Sequence, residues 1–142
     1  MPAGASRPVA VDTSVAVPLV LRNHEAHTVV TSWRAGRPLS LCGHAWIETY
    51  AVLTRLPGSA RVSPGDAVQL LTSNFSPPVV TGPGTLARAV ELFATAGIAG
   101  GATYDGWVAL AAADNHALLA SRDARAETTY RRLGVDVEII VP

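Results

Sequence analysis

Residues 8–14 read PVAVDTS, a short apolar run that ends at an acidic residue followed by two hydroxyl residues. Apolar residues in succession before a charge predict a buried strand, which here ends at Asp12. The same order returns in residues 118–123, LLASRD, where a second strand over 118–121 is followed by Asp123. We therefore predict two buried strands, each with an aspartate at or just beyond its carboxyl end.

Helices and strands alternate along the rest of the chain. Ser63 is the expected N-cap of a helix that begins at Pro64, and Gly97 is the expected C-cap of another. Alternation from end to end indicates a parallel sheet with helices on both faces. The predicted fold class is α/β, with a short central parallel sheet in a single domain over residues 1–142 and a core over about 8–141. Helices are predicted over 14–22, 24–33, 44–56, 64–73, 85–96, 103–116 and 124–133, and further strands over 39–41, 79–81 and 135–141.

The composition is that of a folded globular protein. Hydrophobic residues make up 49% of the 142 residues and charged residues 15%, which argues against disorder. All eleven basic residues are arginine, which suits phosphate contacts, and the alternative explanation is the codon bias of a GC-rich genome. Cys42 is the lone cysteine, and we expect neither a signal peptide nor a membrane span from the pattern of apolar residues. We expect a soluble, cytoplasmic protein with no membrane partner.

Four acidic residues are predicted to lie close together in the folded chain. Ligands bind at the carboxyl ends of parallel strands, so Asp12 and Asp123 are expected to face one crevice. Glu48 and Asp105 lie in predicted helices and have apolar neighbours at helical spacing, which places both on core-facing stripes. Two carboxylates ~5 Å apart at an effective dielectric constant of ~20 repel each other by roughly 3 kcal/mol, so the group needs a cation. Because carboxylate oxygens suit hard ions, Mg²⁺ or Mn²⁺ is expected.

Helix capping is the alternative explanation for three of these acids. Asp12 and Asp123 each precede a predicted helix, and Asp105 lies in a first helical turn, where the dipole favours an acid. Glu48 lies in mid-helix and has no such local explanation. Asp114 follows Asp105 in the same helix but is half a turn out of phase with it, so we leave it out of the predicted site.

Taken in order, these motifs resemble the PIN-domain nucleases, in particular the VapC-type toxins of bacterial toxin–antitoxin pairs. The resemblance spans Val9 to Val141. Two departures from the family pattern are mild, since Ser121 stands where threonine is common and Gly106 where alanine is usual. The stretches that carry the resemblance are VAVDTS (9–14), WIETY (46–50), LTRL (53–56), YDGW (104–107), LLASRD (118–123) and YRRLGV (130–135).

The resemblance implies a metal-dependent endoribonuclease toxin that hydrolyses RNA phosphodiester bonds with one or two divalent ions. It also implies a homodimer and a VapB-type antitoxin that lies across the acidic groove and can place an arginine in the metal site. The catalytic and metal-binding residues that it implies are Asp12, Glu48, Asp105 and Asp123. The residues expected beside them, around the metal or in contact with substrate, are Thr13, Ser14, Ser121 and Arg122.

Two other interpretations stay open at this point. A magnesium-dependent α/β phosphatase would also use acids, but a haloacid-dehalogenase-like enzyme has a second aspartate where this chain has Ser14. A catalytically silent PIN-like binding module would be supported by the loss of an acid, and all four are present. The sequence has no Gly-rich phosphate loop, Rossmann fingerprint or serine-nucleophile elbow.

Several further residues receive no role at the site. The histidines His24, His27, His44 and His116 show no ligand spacing. Trp46 and Trp107 are expected in the core or at a dimer interface, rather than against RNA bases.

Overall fold

The computed structural model describes residues 7–142, so residues 1–6 of the expected domain lie outside it. The strands are β1 Val9–Val11, β2 Ser40–Cys42, β3 Ser76–Val79, β4 Leu118–Ser121 and β5 Val137–Ile139. The α-helices are α1 Thr13–Val20, α2 His27–Arg34, α3 Gly43–Thr54, α4 Pro64–Asn74, α5 Pro83–Ala96, α6 Ala102–Asp114 and α7 Ala124–Arg132. A 3₁₀ turn spans Gly58–Ala60.

The strands form one five-stranded sheet in the order β3-β2-β1-β4-β5, and every pair is parallel. The chain moves outward from β1 through β2 to β3, then crosses back to β4 and continues to β5. Because parallel connections are right-handed, the helices of these two halves cover opposite faces of the sheet. The α/β class predicted from the sequence is confirmed.

The strand order reverses between β1 and β4, where a crevice opens at the carboxyl edge of a parallel sheet. Val11 pairs with Ala120 in register, so Asp12 and Ser121 leave the two strands side by side. The strands themselves are anchored in the main core, where Val11 and Leu119 are fully buried. The topology thus fixes the relative positions of the first and last acidic motifs.

The edge strand β3 corrects one prediction. The strand expected over 79–81 lies instead at Ser76–Val79 and contains Pro77 and Pro78. Proline has no N–H to donate to a sheet, and prolines are therefore confined to edge strands or bulges. Both conditions hold here, because β3 is the outermost strand and its pairing with β2 has an irregular register.

Several predicted element ends also shift. The second helix begins at His27 rather than His24, because the His24 ring accepts a hydrogen bond from the Ala26 N–H in a turn before it. The last strand covers only Val137–Ile139 of the predicted 135–141. The caps at Ser63 and Gly97 are confirmed, the first by its bond from the Asp66 N–H and the second by its left-handed backbone. Within residues 7–142, no helix is long and apolar enough to cross a membrane.

Candidate active site

A pocket of about 250 Å³ lies at the carboxyl edge of the sheet, and all four predicted acids line it. A larger depression of about 420 Å³ lies at the opposite edge beside Pro8 and Ala117, but Asp136 is the one acid in its lining. We therefore assign the candidate active site to the smaller pocket, because four acidic side chains line it. Its lining consists of Asp12, Thr13, Ser14, His44, Glu48, Asp105, Val108, Asp123 and Tyr130.

Asp12 is the buried centre of this pocket, with only 6% of its surface exposed. Its Oδ1 accepts hydrogen bonds from the Ser14 N–H (3.0 Å) and hydroxyl (2.5 Å). Its Oδ2 accepts from the hydroxyls of Ser121 (2.5 Å) and Tyr130 (2.7 Å). Burial raises the pKa of Asp12, whereas these bonds oppose the rise because they favour the carboxylate. Asp12 therefore caps α1, as the alternative held, and is also held rigidly in the pocket.

The two serines connect Asp12 to the loop after β4. The Arg122 N–H donates to Ser14 Oγ at 2.8 Å, and the Asp123 N–H donates to Ser121 Oγ at 3.0 Å. Each serine thus accepts from the loop and donates to Asp12. Thr13 lies in the pocket lining, but its hydroxyl is directed to α3, where the Thr49 hydroxyl lies 3.3 Å away.

Asp105 lies in the first turn of α6 and is half-buried. Its pKa is raised to about 6, first by burial and then by the charges of Asp123, Asp12 and Glu48, while His44 opposes the rise. All three other acids thus act on one carboxylate. This is the electrostatic consequence of gathering four like charges in one pocket.

Asp123 caps α7 and also faces the pocket. Its Oδ1 accepts from the Arg125 N–H at 2.9 Å, and the Arg125 Nε lies 3.6 Å from the same oxygen. The Arg125 side chain is almost fully exposed, so this ion pair is weak. Asp123, like Asp12, is thus both the N-cap of a helix and a lining residue of the pocket.

The expectation that Glu48 faces the core is wrong. Its side chain is 45% exposed and lies at the rim of the pocket, 3.7 Å from His44 Nε2. The buried face of α3 is formed by Ala45, Thr49 and Leu53, one position away from the predicted stripe. Thr49 can lie in the core because its hydroxyl donates to the Ala45 carbonyl at 2.7 Å, which satisfies its polar group.

The pocket fits a hard divalent cation by its donors. Its charged lining is four carboxylates, with His44 as the one basic side chain. Oxygen donors of this kind suit Mg²⁺ or Mn²⁺. Among residues 7–142, no three acidic, histidine or cysteine side chains already converge closely enough to share an ion.

Comparison with known proteins identifies the family. The PIN domain model matches residues 9–132. The chain belongs to the PIN domain family. Ribonuclease VapC27 of Mycobacterium tuberculosis is 52% identical to this PIN domain over 132 residues, covering 93% of this chain and 96% of the relative. Ribonuclease VapC40 of the same species is 37% identical over 133 residues, covering 93% and 98%.

Solved structures share the fold of this PIN domain. VapBC2 from Rickettsia felis superposes with a TM-score of 0.66 at 11% identity, covering 92% of this chain and 97% of that chain. Mycobacterium tuberculosis VapC20, a Sarcin-Ricin loop cleaving toxin, gives a TM-score of 0.63 at 16% identity, covering 84% and 92%. At such identities the likeness establishes the fold alone, and it confirms the predicted PIN architecture.

Two pocket residues of this PIN domain were missed in the sequence. Tyr130 was noted only as part of a motif, yet its position two helical turns after Asp123 turns it back towards the site. His44 was given no role, although its spacing from Glu48 is that of neighbours on one helix face. Asp114 lies outside the pocket as expected, because its carboxylate accepts from the Gly82 N–H (2.7 Å) and the Thr85 hydroxyl (2.9 Å).

Proposed function

We propose that this chain is a VapC-type endoribonuclease whose catalytic site is formed by Asp12, Glu48, Asp105 and Asp123. One observation carries the proposal: four carboxylates from four separate segments line a single pocket at the switch point of the sheet. The 52% identity to ribonuclease VapC27 supports RNA as the substrate. The phosphatase interpretation has no comparable support.

The carboxylates would hold Mg²⁺ or Mn²⁺, with Asp12, Asp123 and Asp105 as direct ligands. Such an ion would supply polarisation of a water molecule and neutralisation of charge on the phosphodiester. Asp12 would be the fixed ligand, since four hydrogen bonds orient its carboxylate. Glu48 would be the mobile one, because it lies exposed at the rim, from where its carboxylate can orient the attacking water.

The hydroxyl groups around Asp12 have a positioning role in this proposal. Ser14 and Ser121 join Asp12 to the backbone of the Asp123 loop, so the two acids keep a fixed separation. The Tyr130 hydroxyl orients Asp12 by donating a hydrogen bond to its Oδ2. Ligand carboxylates in metal sites are commonly fixed by such outer hydrogen bonds.

The partner of the chain in this proposal is a VapB-type antitoxin that covers the acidic groove. Structural neighbours include VapBC2 from Rickettsia felis and FitAB, each solved bound to a DNA fragment. A cationic side chain from the antitoxin would neutralise the pocket in place of the metal ion, which follows from its uncompensated negative charge. The homodimer stays a prediction from the family resemblance.

The test is incubation of the purified chain with total cellular RNA in Mg²⁺, Mn²⁺ or EDTA, beside Asp12→Asn. Asp136→Asn is the matched control, because Asp136 is an exposed acid at the opposite edge of the sheet. We expect discrete cleavage products that require metal, that persist in the control and that disappear in Asp12→Asn. Equal cleavage by Asp12→Asn would contradict the site, and no cleavage in any metal would contradict the activity.

A further inference from the structure

Three aromatic rings gather at one side of the pocket. The His44 ring from α3 is stacked on Tyr104 of α6, with centroids 5.2 Å apart and planes inclined by 21°. It is also stacked on Trp107 of the same helix, at 5.3 Å and 26°. Both distances fall within the range of stabilising aromatic pairs. We call His44, Tyr104 and Trp107 the aromatic cluster.

The aromatic cluster is continuous with the acidic pocket. His44 lines that pocket, and its Nε2 lies 3.7 Å from Glu48. Tyr104 and Trp107 flank Asp105 along α6 and lie one helical turn apart, so they share a face. His44 therefore links the acidic pocket to the two exposed rings of α6.

The two α6 rings are not core residues. Tyr104 is 57% exposed and Trp107 is 38% exposed. Of the two sequence-based expectations for Trp107, a place in the core is wrong, and a place at a dimer interface stays a prediction. Large aromatic side chains are usually highly buried, and an exposed pair beside a functional pocket points to a ligand.

The charge around the pocket limits which contacts can attract RNA. Four carboxylates repel phosphates, and two arginines that follow β4 each lie against a protein oxygen. Arg122 donates to the Ser14 carbonyl, and Arg125 lies against Asp123. Uncharged aromatic faces attract bases without attracting or repelling phosphate, and every base can stack on them.

We propose that the aromatic cluster is a base-binding platform, on which an unpaired base of the RNA stacks beside the phosphodiester held in the pocket. This inference rests on the proposed ribonuclease function and adds to it a subsite for a base next to the phosphodiester. His44 packs against both α6 rings, and Tyr104 and Trp107 offer the exposed faces. Continuity with the pocket favours RNA over a protein partner as the occupant.

The experiment measures KM and kcat for metal-dependent cleavage of a single-stranded RNA oligonucleotide that the unaltered chain cuts. The variants are Trp107→Ala and Tyr104→Ala, with Trp107→Phe and Tyr104→Phe as conservative counterparts. Val90→Ala is the control, since Val90 is an exposed apolar residue on α5. We expect KM to rise on the order of tenfold for each alanine variant. The phenylalanine variants and the control should keep a KM close to that of the unaltered chain.

A second probe separates base stacking from other effects. An oligonucleotide with an abasic site next to the cleaved bond should show a raised KM with the unaltered chain, and the alanine variants should raise it no further. Unchanged KM in both alanine variants would overturn the inference. So would a loss of self-association with intact KM, because the rings would then form a protein contact. No metal-dependent cleavage by the unaltered chain would instead overturn the proposed function, and the platform with it.

Discussion

The guanidinium of Arg122 donates from Nη1 to the carbonyl oxygen of Ser14 at 3.3 Å. That carbonyl lies one turn before Pro18, which has no N–H to complete the helical hydrogen bond within α1. Arg122 therefore supplies the bond that Pro18 cannot make. Since the Arg122 N–H also donates to Ser14 Oγ, a single residue of the β4 loop holds the backbone and the side chain of Ser14.

Arg122→Ala should destabilise the chain through the loss of this bond. We expect a cost of about 1 kcal/mol in the free energy of unfolding, the usual contribution of one such hydrogen bond. In a Pro18→Ala background the cost should be smaller, because the new N–H can donate to Ser14. Urea unfolding of the two single variants and the double variant measures this coupling. Equal costs in both backgrounds would show that Arg122 and Pro18 are independent.

Tyr130→Phe should weaken metal binding without unfolding the chain. The substitution removes the hydroxyl that donates to Asp12 Oδ2 at 2.7 Å but keeps the buried ring. Loss of an outer hydrogen bond to a metal ligand typically reduces affinity about 10–100-fold. Calorimetric titration with Mn²⁺ measures the loss. Tyr50→Phe is the control, as Tyr50 lies outside the pocket lining, and an equal effect of both variants would remove Tyr130 from the site.

Asp105 should make the metal-free chain less stable as the pH rises. Its pKa is about 6 in the folded chain against the ordinary value of 3.8 for an aspartate, so folding favours its protonated form. That stabilisation is present in full below about pH 4 and is lost as the pH rises through about 6. Asp105→Asn removes this dependence. In EDTA, the variant should therefore melt at a higher temperature than the unaltered chain at pH 7.5, and the difference should vanish near pH 4.

Added Mn²⁺ should reverse the order at pH 7.5. A ligand that binds only the folded chain stabilises it, and the variant has lost one carboxylate for that ligand. Thermal melts at both pH values, with and without Mn²⁺, provide the measurement. A gain for Asp105→Asn that is equal at pH 4 and pH 7.5 would show that its cause is not the carboxylate charge.

The Phe93 ring leaves no room for a side chain at Gly106. A Cβ on Gly106 would lie 2.7 Å from Phe93 Cε1, closer than real contacts allow. Phe93 belongs to a small core cluster between α5 and α6, with Ala89, Ile98 and Leu110. Gly106→Ala should therefore destabilise the chain by roughly 1 kcal/mol, since overpacking costs about 1–3 kcal/mol and alanine regains up to about 1 through helix propensity.

A second substitution tests this explanation of Gly106. Phe93→Leu shortens the opposing side chain, so the cost of Gly106→Ala should shrink in that background. Chemical denaturation of the four chains gives the coupling. An undiminished cost would mean that the backbone of α6, rather than Phe93, demands glycine.

Much of the fold was predictable because short buried strands that end at Asp12 and Asp123 set the sheet and its carboxyl edge. The β3 strand was misplaced because its prolines look like breakers in sequence. Only the position of a strand at the edge of the sheet makes Pro77 and Pro78 acceptable there. Strand order is a tertiary property that no local window contains.

The site was less completely predictable, and the misses share a cause. The apolar stripe of α3 was assigned one position off because Thr49 is polar, and only its bond to Ala45 makes its burial inexpensive. Tyr130 and His44 reach the pocket from elements whose orientation follows from packing. Acidic residues can be predicted as candidate metal ligands from their residue type. The residues that orient them are recognised only from their contacts in the folded chain.

The most direct test of the four-carboxylate site compares two aspartates of the same helix. Asp105 lines the pocket, whereas Asp114 lies away from it and accepts from the Gly82 N–H and the Thr85 hydroxyl. We would measure the initial rate of Mg²⁺-dependent RNA cleavage by Asp105→Asn and Asp114→Asn, below the melting temperature of both. The account predicts a loss on the order of 10²-fold or more for Asp105→Asn and an unchanged rate for Asp114→Asn. Equal rates for the two variants would contradict it.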